Sequence, residues 1–154
     1  MRGKLNLRFL LVAGAATLVL AACCFFQHRS QMRRQLGDYL VQATRAEEAQ
    51  KLDRAARFLR AYVLAVPTDT DARIRYGGLL EKMGTTPRFK SDALDVYEQA
   101  LRQESDRHDA RRRAAELAFE LRRVDSALDH LTRLKGVFPN DGRILLLLGQ
   151  CFEA

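Results

Sequence analysis

The chain has 154 residues, is rich in Ala, Leu, Arg and Glu and lacks Trp, a length for one small domain plus a tail and a composition that favours helix over sheet. Its formal charge of +7 would suggest nucleic acid, but residues 1–35 hold six Lys/Arg and no acid, which leaves 26 − 6 = 20 bases against 19 acids in residues 36–154. A nearly neutral C-terminal part argues against a phosphate-binding surface, and three cysteines, two of them adjacent, do not make a disulfide framework.

Residues 1–8 are a basic flank carrying Arg2, Lys4 and Arg8. Residues 9–26, FLLVAGAATLVLAACCFF, carry no charge; as a helix they would span about 27 Å, close to the hydrocarbon thickness of a bilayer. The run is longer than the apolar core of a cleaved secretory signal, so a single-pass transmembrane or signal-anchor helix is expected. Leu20-Ala21-Ala22-Cys23 resembles the lipobox of bacterial lipoproteins, which makes Cys23 the candidate lipidation site in an alternative reading as an envelope lipoprotein. Cys24, Phe25 and Phe26 extend the apolar run past Cys23 and speak for the anchor. Residues 27–35 are a basic juxtamembrane linker with Arg29, Arg33 and Arg34. The two basic flanks balance, and the default for a short basic N-terminus places the following domain on the extracytoplasmic side.

From residue 36 onward apolar residues recur at helical spacing between breakers at Pro67, Gly84, Pro87, Gly136 and Pro139. The pattern predicts helices over 32–49, 53–66, 70–83, 91–104, 108–121, 125–137 and 142–153. Ala43, Gly77, Ala115 and Gly149 are spaced 34, 38 and 34 apart; Ala55, Ala93 and Ala127 repeat the same 38 then 34, each followed four residues later by Leu59, Tyr97 or Leu131.

A 34-residue helix-turn-helix unit with a small residue in its first helix, Ala-x-x-x-Leu/Tyr in its second and Pro near its end resembles the tetratricopeptide repeat. The resemblance covers residues 36–154, as repeats at 36–69, 70–107 and 108–141 and a half-repeat at 142–154. It implies an all-α helix-turn-helix solenoid of about three and a half repeats. The second unit departs from the pattern by about four extra residues around Thr85 to Lys90, expected as a longer turn between its two helices. The last helix, with Ile144 to Leu148 apolar on all sides, is unlike a polar terminal cap; it suggests further repeats beyond the chain, a fragment of a longer protein, or self-association through 144–152.

The family's first helices line a groove that receives a peptide or helix of another protein. Position by position this nominates Thr44, Glu47, Glu48, Glu81, Lys82, Arg112, Glu116, Phe119 and Arg143, a mixed but mainly acidic set suited to a basic partner. The clamp by which some members hold the acidic terminus of heat-shock chaperones falls on Leu40, Thr44, Arg75, Asp109 and Arg113 here; only the two arginines are compatible, so that clamp is not expected. No Gly-rich loop, zinc-protease or paired-Cys spacing occurs. His28, His108 and His130 lie far apart, with His108 and His130 expected on the surface, and Ser30, Ser91, Ser105 and Ser126 lack acid–base neighbours. The expectation is a membrane-tethered scaffold for protein binding, without catalysis, cofactor, metal or nucleic acid.

Overall fold

The computed structural model describes residues 36–84 and 86–153. The expected anchor at 9–26, both basic flanks and Cys23 lie outside these residues. Among the described residues no helix is long and apolar enough to cross a membrane. The fold described is that of the compact unit Tyr39–Ala154.

Seven helices and no strand occur among the described residues: α1 over 36–48, α2 Leu52–Ala65, α3 Thr70–Met83, α4 Pro87–Gln103, α5 His108–Glu120, α6 Val124–Val137 and α7 Gly142–Glu153. They alternate as first and second helices of a two-helix unit, each packed on the next. Connections inside a unit are 49–51, 84–86 and 121–123, and those between units are 66–69, 104–107 and 138–141.

Local chemistry sets these boundaries. The Asp69 carboxylate accepts from the Ala72 N–H at 2.9 Å and caps α3, satisfying an otherwise orphaned donor. Pro87 occupies the first turn of α4, where its missing N–H costs nothing. Asp141 accepts from the Arg143 N–H at 3.0 Å at the start of α7. The turns after α1 and α5 share one geometry. Gln50 and Arg122 take left-handed φ of 57° and 59°, and the following N–H groups of Lys51 and Arg123 reach back to the carbonyls of Ala46 and Ala118, each at 2.8 Å, the closing bond of a Schellman cap.

The four extra residues of the second unit do not lengthen its turn. The connection 84–86 is as short as 49–51 and 121–123; the insertion instead extends α4, which starts at Pro87 where the pattern predicted 91. The added turn is held by packing: Phe89 lies against the core, and its ring approaches Gly84 so closely that a Cβ there would sit 2.8 Å away.

The buried interior falls into two clusters. A large one joins Leu80 of α3 to Leu94, Tyr97, Leu117, Leu131, Leu134, Ile144 and Leu148 across α4 to α7. A smaller one, Ala43, Ala46, Ala55, Ala56, Leu59 and Leu79, serves α1 to α3, and Tyr76 and Met83 pack against both. Small residues at the helix crossings let backbones approach closely. At Gly77 an added Cβ would meet the Tyr97 ring at 3.0 Å.

Candidate protein-docking face

The first helices α1, α3, α5 and α7 carry all nine residues nominated as a groove, and the structure shows what each does. Arg75 on α3 donates from Nε to Glu47 Oε1 at 3.0 Å and from Nη2 to Thr44 Oγ1 at 2.8 Å, tying α3 to α1. One unit on, Arg113 of α5 pairs with Glu81 of α3. Arg113 also donates to Glu116 Oε2 at 2.6 Å, and Arg143 of α7 reaches Glu116 Oε1 at 2.8 Å. The result is a ladder of ion pairs from α1 to α7.

Glu81 anchors the ladder to the core, because Tyr97 Oη donates to its Oε1 at 2.6 Å. Burial, and then the Glu81 carboxylate, push the Tyr97 phenol well above its ordinary value, so it remains a donor. Arg112 is held elsewhere, donating to Asp141 Oδ2 at 2.7 Å with its guanidinium 4.8 Å from the Phe138 ring centre. Phe119 is half-buried on the core. Glu48 and Lys82 are exposed.

The face is therefore charge-balanced rather than mainly acidic. Glu47, Glu81 and Glu116 are each matched by an arginine of a neighbouring helix. Arg75 and Arg113, which stand at the clamp positions and outside the nine groove residues, are the partners of Glu47 and Glu81, and the period signals them. Glu47 and Glu81 are 34 apart, Arg75 and Arg113 are 38 apart, and the next positions in the same registers are Phe119 and Leu147. A Glu–Arg pair thus recurs once and is replaced at the third step by two apolar residues, both packed on the core.

A second recurrence lies on the seam between units. Arg73 and Arg111, again 38 apart, are both buried. Each donates to the carbonyl six residues earlier, Arg73 to Pro67 at 2.6 Å and Arg111 to Ser105 at 2.7 Å. The arginine acts as a bolt from a first helix into the preceding connection.

Both histidines depart from the surface expectation. His130 is buried, and His108 packs edge-on to Phe138 with ring centres 5.3 Å apart. Ser126 does have an acidic neighbour, donating to Glu98 Oε1 at 3.2 Å. His130 Nε2 stands 3.9 Å from the same oxygen. The hydroxyl is thus committed to the carboxylate instead of to the imidazole, which is not the arrangement of an activated nucleophile. Among the described residues no group of three or more His, Cys, Asp or Glu is placed to hold a metal.

Residues 91–151 match the tetratricopeptide repeat family. No curated protein sequence matches the chain. Among solved structures, the MamA protein is similar with a TM-score of 0.67 and 15% identity over 77% of this chain and 63% of that one. MamA 41-end from Desulfovibrio magneticus RS-1 gives 0.65 and 19% over 77% and 65%. The chain thus spans less than two thirds of either MamA chain. The TPR2B domain of yeast Sti1, in its pHsp70 complex, gives 0.58 and 14% over 78% of this chain and 98% of that one. At these identities the likeness is one of fold. The tetratricopeptide repeat match thus covers residues 91–151 in α4 to α7, and the same two-helix unit continues through α1 to α3 as the fold of a helical repeat solenoid.

Proposed function

We propose that this protein is a non-catalytic adaptor, held at a membrane by residues 9–26, whose repeat domain docks a segment of another protein on the face made by α1, α3, α5 and α7. The observation that carries this reading is the continuous first-helix face, rigidified by ion pairs between successive helices and bearing the free charges of Glu48 and Lys82. Rigid, periodic faces suit partner binding because little ordering entropy is lost on docking. The balance of charge along the face points to a partner that presents both signs, not a uniformly basic one.

A photo-reactive side chain placed at Glu48 or Lys82, with controls at Arg57 and Asp125 on the second helices, tests the face in solubilised membranes. One partner captured only from the first two positions supports the reading; capture only from the controls overturns it. Charge reversal at Glu81 is a poor probe, since that carboxylate also holds Tyr97 and Arg113. The anchor is tested separately by alkaline extraction of membranes: release of the full chain would remove residues 9–26 as a span. Intact mass of the extracted protein distinguishes the anchor from lipidation at Cys23, which would remove residues 1–22. Protease accessibility of the repeat domain in sealed vesicles reports the side, with the extracytoplasmic side expected.

A second reading, assembly through α7, rests on its outer face. Ile144, Leu148 and Cys151 are buried, whereas Leu146 and Phe152 are 62% and 78% exposed. In the same register as Phe152, Leu80 and Ala118 are buried. A concentration-dependent size that Phe152→Glu abolishes would support assembly; a constant monomer would end that reading.

A further inference from the structure

The repeat register exposes one place where a polar site has been opened between second helices. In the second unit the buried Arg73 is closed off by Gln103 near the end of α4. Arg73 Nη1 donates to Gln103 Oε1 at 2.7 Å, and Gln103 Nε2 donates to the Pro67 carbonyl at 2.8 Å. One unit on, the position equivalent to Gln103 is Val137, half-exposed at 51% and unable to accept a hydrogen bond. Among the described residues, Arg111 has only the Ser105 carbonyl as its hydrogen-bond acceptor.

Above Arg111 lies a cavity of about 260 Å³ between α4 and α6. Its lining includes Glu98, Arg102, Asp129, His130 and Arg133. The residue equivalent to His130 in the preceding unit is Val96, so a buried imidazole stands here where the preceding seam has an aliphatic side chain. His130 is 7% exposed, and its Nδ1 is buried with no hydrogen-bond partner. Among the described residues Arg111 donates to the protein through Nη2 alone, which leaves its Nη1 and Nε for a ligand in the cavity.

We propose that this cavity is a second binding site, for a carboxylate whose oxygens take the place that Gln103 Oε1 holds against Arg73 in the preceding unit. The charge fits a carboxylate better than a dianionic phosphate. Arg102, Arg111 and Arg133 face Glu98 and Asp129, and three positive against two negative groups leave one unit of positive charge. Two of these charges are already engaged with each other, since Arg133 Nε donates to both oxygens of Asp129 at 3.1 Å. The planar guanidinium of Arg111 matches a planar carboxylate with paired donors. His130 also lines the cavity, and Ser126 keeps Glu98 occupied at its wall. The site is built on α4 and α6 with Arg111 reaching in from α5, shares no residue with the charged first-helix face, and does not depend on the docking proposed there.

The carboxylate can come from an acidic side chain or a free chain terminus. Both are tested with the full-length chain in detergent micelles, carrying isotope-labelled histidine, and small probes. N-acetyl-aspartate with a blocked C-terminus represents the side chain, N-acetylglycine the terminus, and their amide counterparts the uncharged controls. Saturable shifts of the His130 resonances by at least one carboxylate and by neither amide are expected, and the tighter carboxylate identifies the source. Val137→Gln rebuilds the internal acceptor of the preceding unit and is expected to weaken binding about tenfold, the loss of one charge-assisted hydrogen bond. His130→Val, which copies Val96, is read through the Arg111 side-chain resonances and is expected to weaken binding by a similar factor. Circular dichroism of both variants checks that the fold is kept. Equal response to acid and amide, tighter binding of inorganic phosphate, or full affinity in a folded Val137→Gln variant would each overturn the proposal.

Discussion

Gly77 shows how a single hydrogen atom sets a packing choice. The three units pair Ala43 with Leu59, Gly77 with Tyr97 and Ala115 with Leu131 by register, so the smallest crossing residue goes with the largest side chain. Tyr97 is buried and fixed at its tip by Glu81, so its ring cannot withdraw from a new methyl group. Gly77→Ala is therefore expected to cost about 1–2 kcal/mol through overpacking, despite the better helix propensity of Ala. Adding Tyr97→Leu, which copies the other two units, should recover part of that loss; strict additivity in a denaturant double-mutant cycle would show the two sites to be uncoupled. His130 supplies a pH prediction. Burial, and then the Arg111 charge, hold its imidazole below the ordinary value of 6.5. As pH falls below that value the unfolded chain takes up a proton that the folded chain does not. Stability is then full above about pH 6.5 and declines toward the lowered folded value. Urea midpoints measured from about pH 7.5 down to 5 should show this decline in the parent and a smaller one in His130→Val.

Single helices carry the next level of information. Six of the seven predicted segments match their helices within a residue or two at the ends that are described, because a 3.6-residue apolar stripe and the breakers between stripes are local properties. The seventh, α4, begins four residues early. Thr86 and Pro87 read as part of a turn, yet Pro is also a good first residue of a helix, and only the burial of Phe89 against the core decides between the two. Phe89→Ala is expected to cost about 1–2 kcal/mol, from partial loss of a ring's burial. It should also raise amide exchange at Lys90 to Asp92 before the rest of α4. Uniform exchange along α4 in the variant would show that its first turn does not rely on that ring.

Across the whole repeat domain, each helix packs on its sequence neighbours, and the interior is divided unevenly. The cluster serving α1 to α3 is built largely from Ala, whereas that of α3 to α7 holds Leu94, Tyr97, Leu131 and Leu134. Buried apolar area scales the stabilisation, and a one-dimensional array opens unit by unit. Hydrogen exchange is accordingly expected to release α1 and α2 first and α4 to α6 last, and a single exchange free energy for all helices would contradict this hierarchy. By itself the sequence determined the helical class, the two-helix period, the crossing residues and the apolar character of α7, because each is written in spacing along the chain. Tertiary structure alone decided that the insertion extends a helix, that the glutamates of the first-helix face are matched by Arg75, Arg113 and Arg143, and that Arg111 and His130 are buried beside a cavity. Those outcomes depend on which side chains about thirty residues apart in sequence are brought within a few ångströms, and on what is missing at Val137, where the repeat would otherwise supply an acceptor.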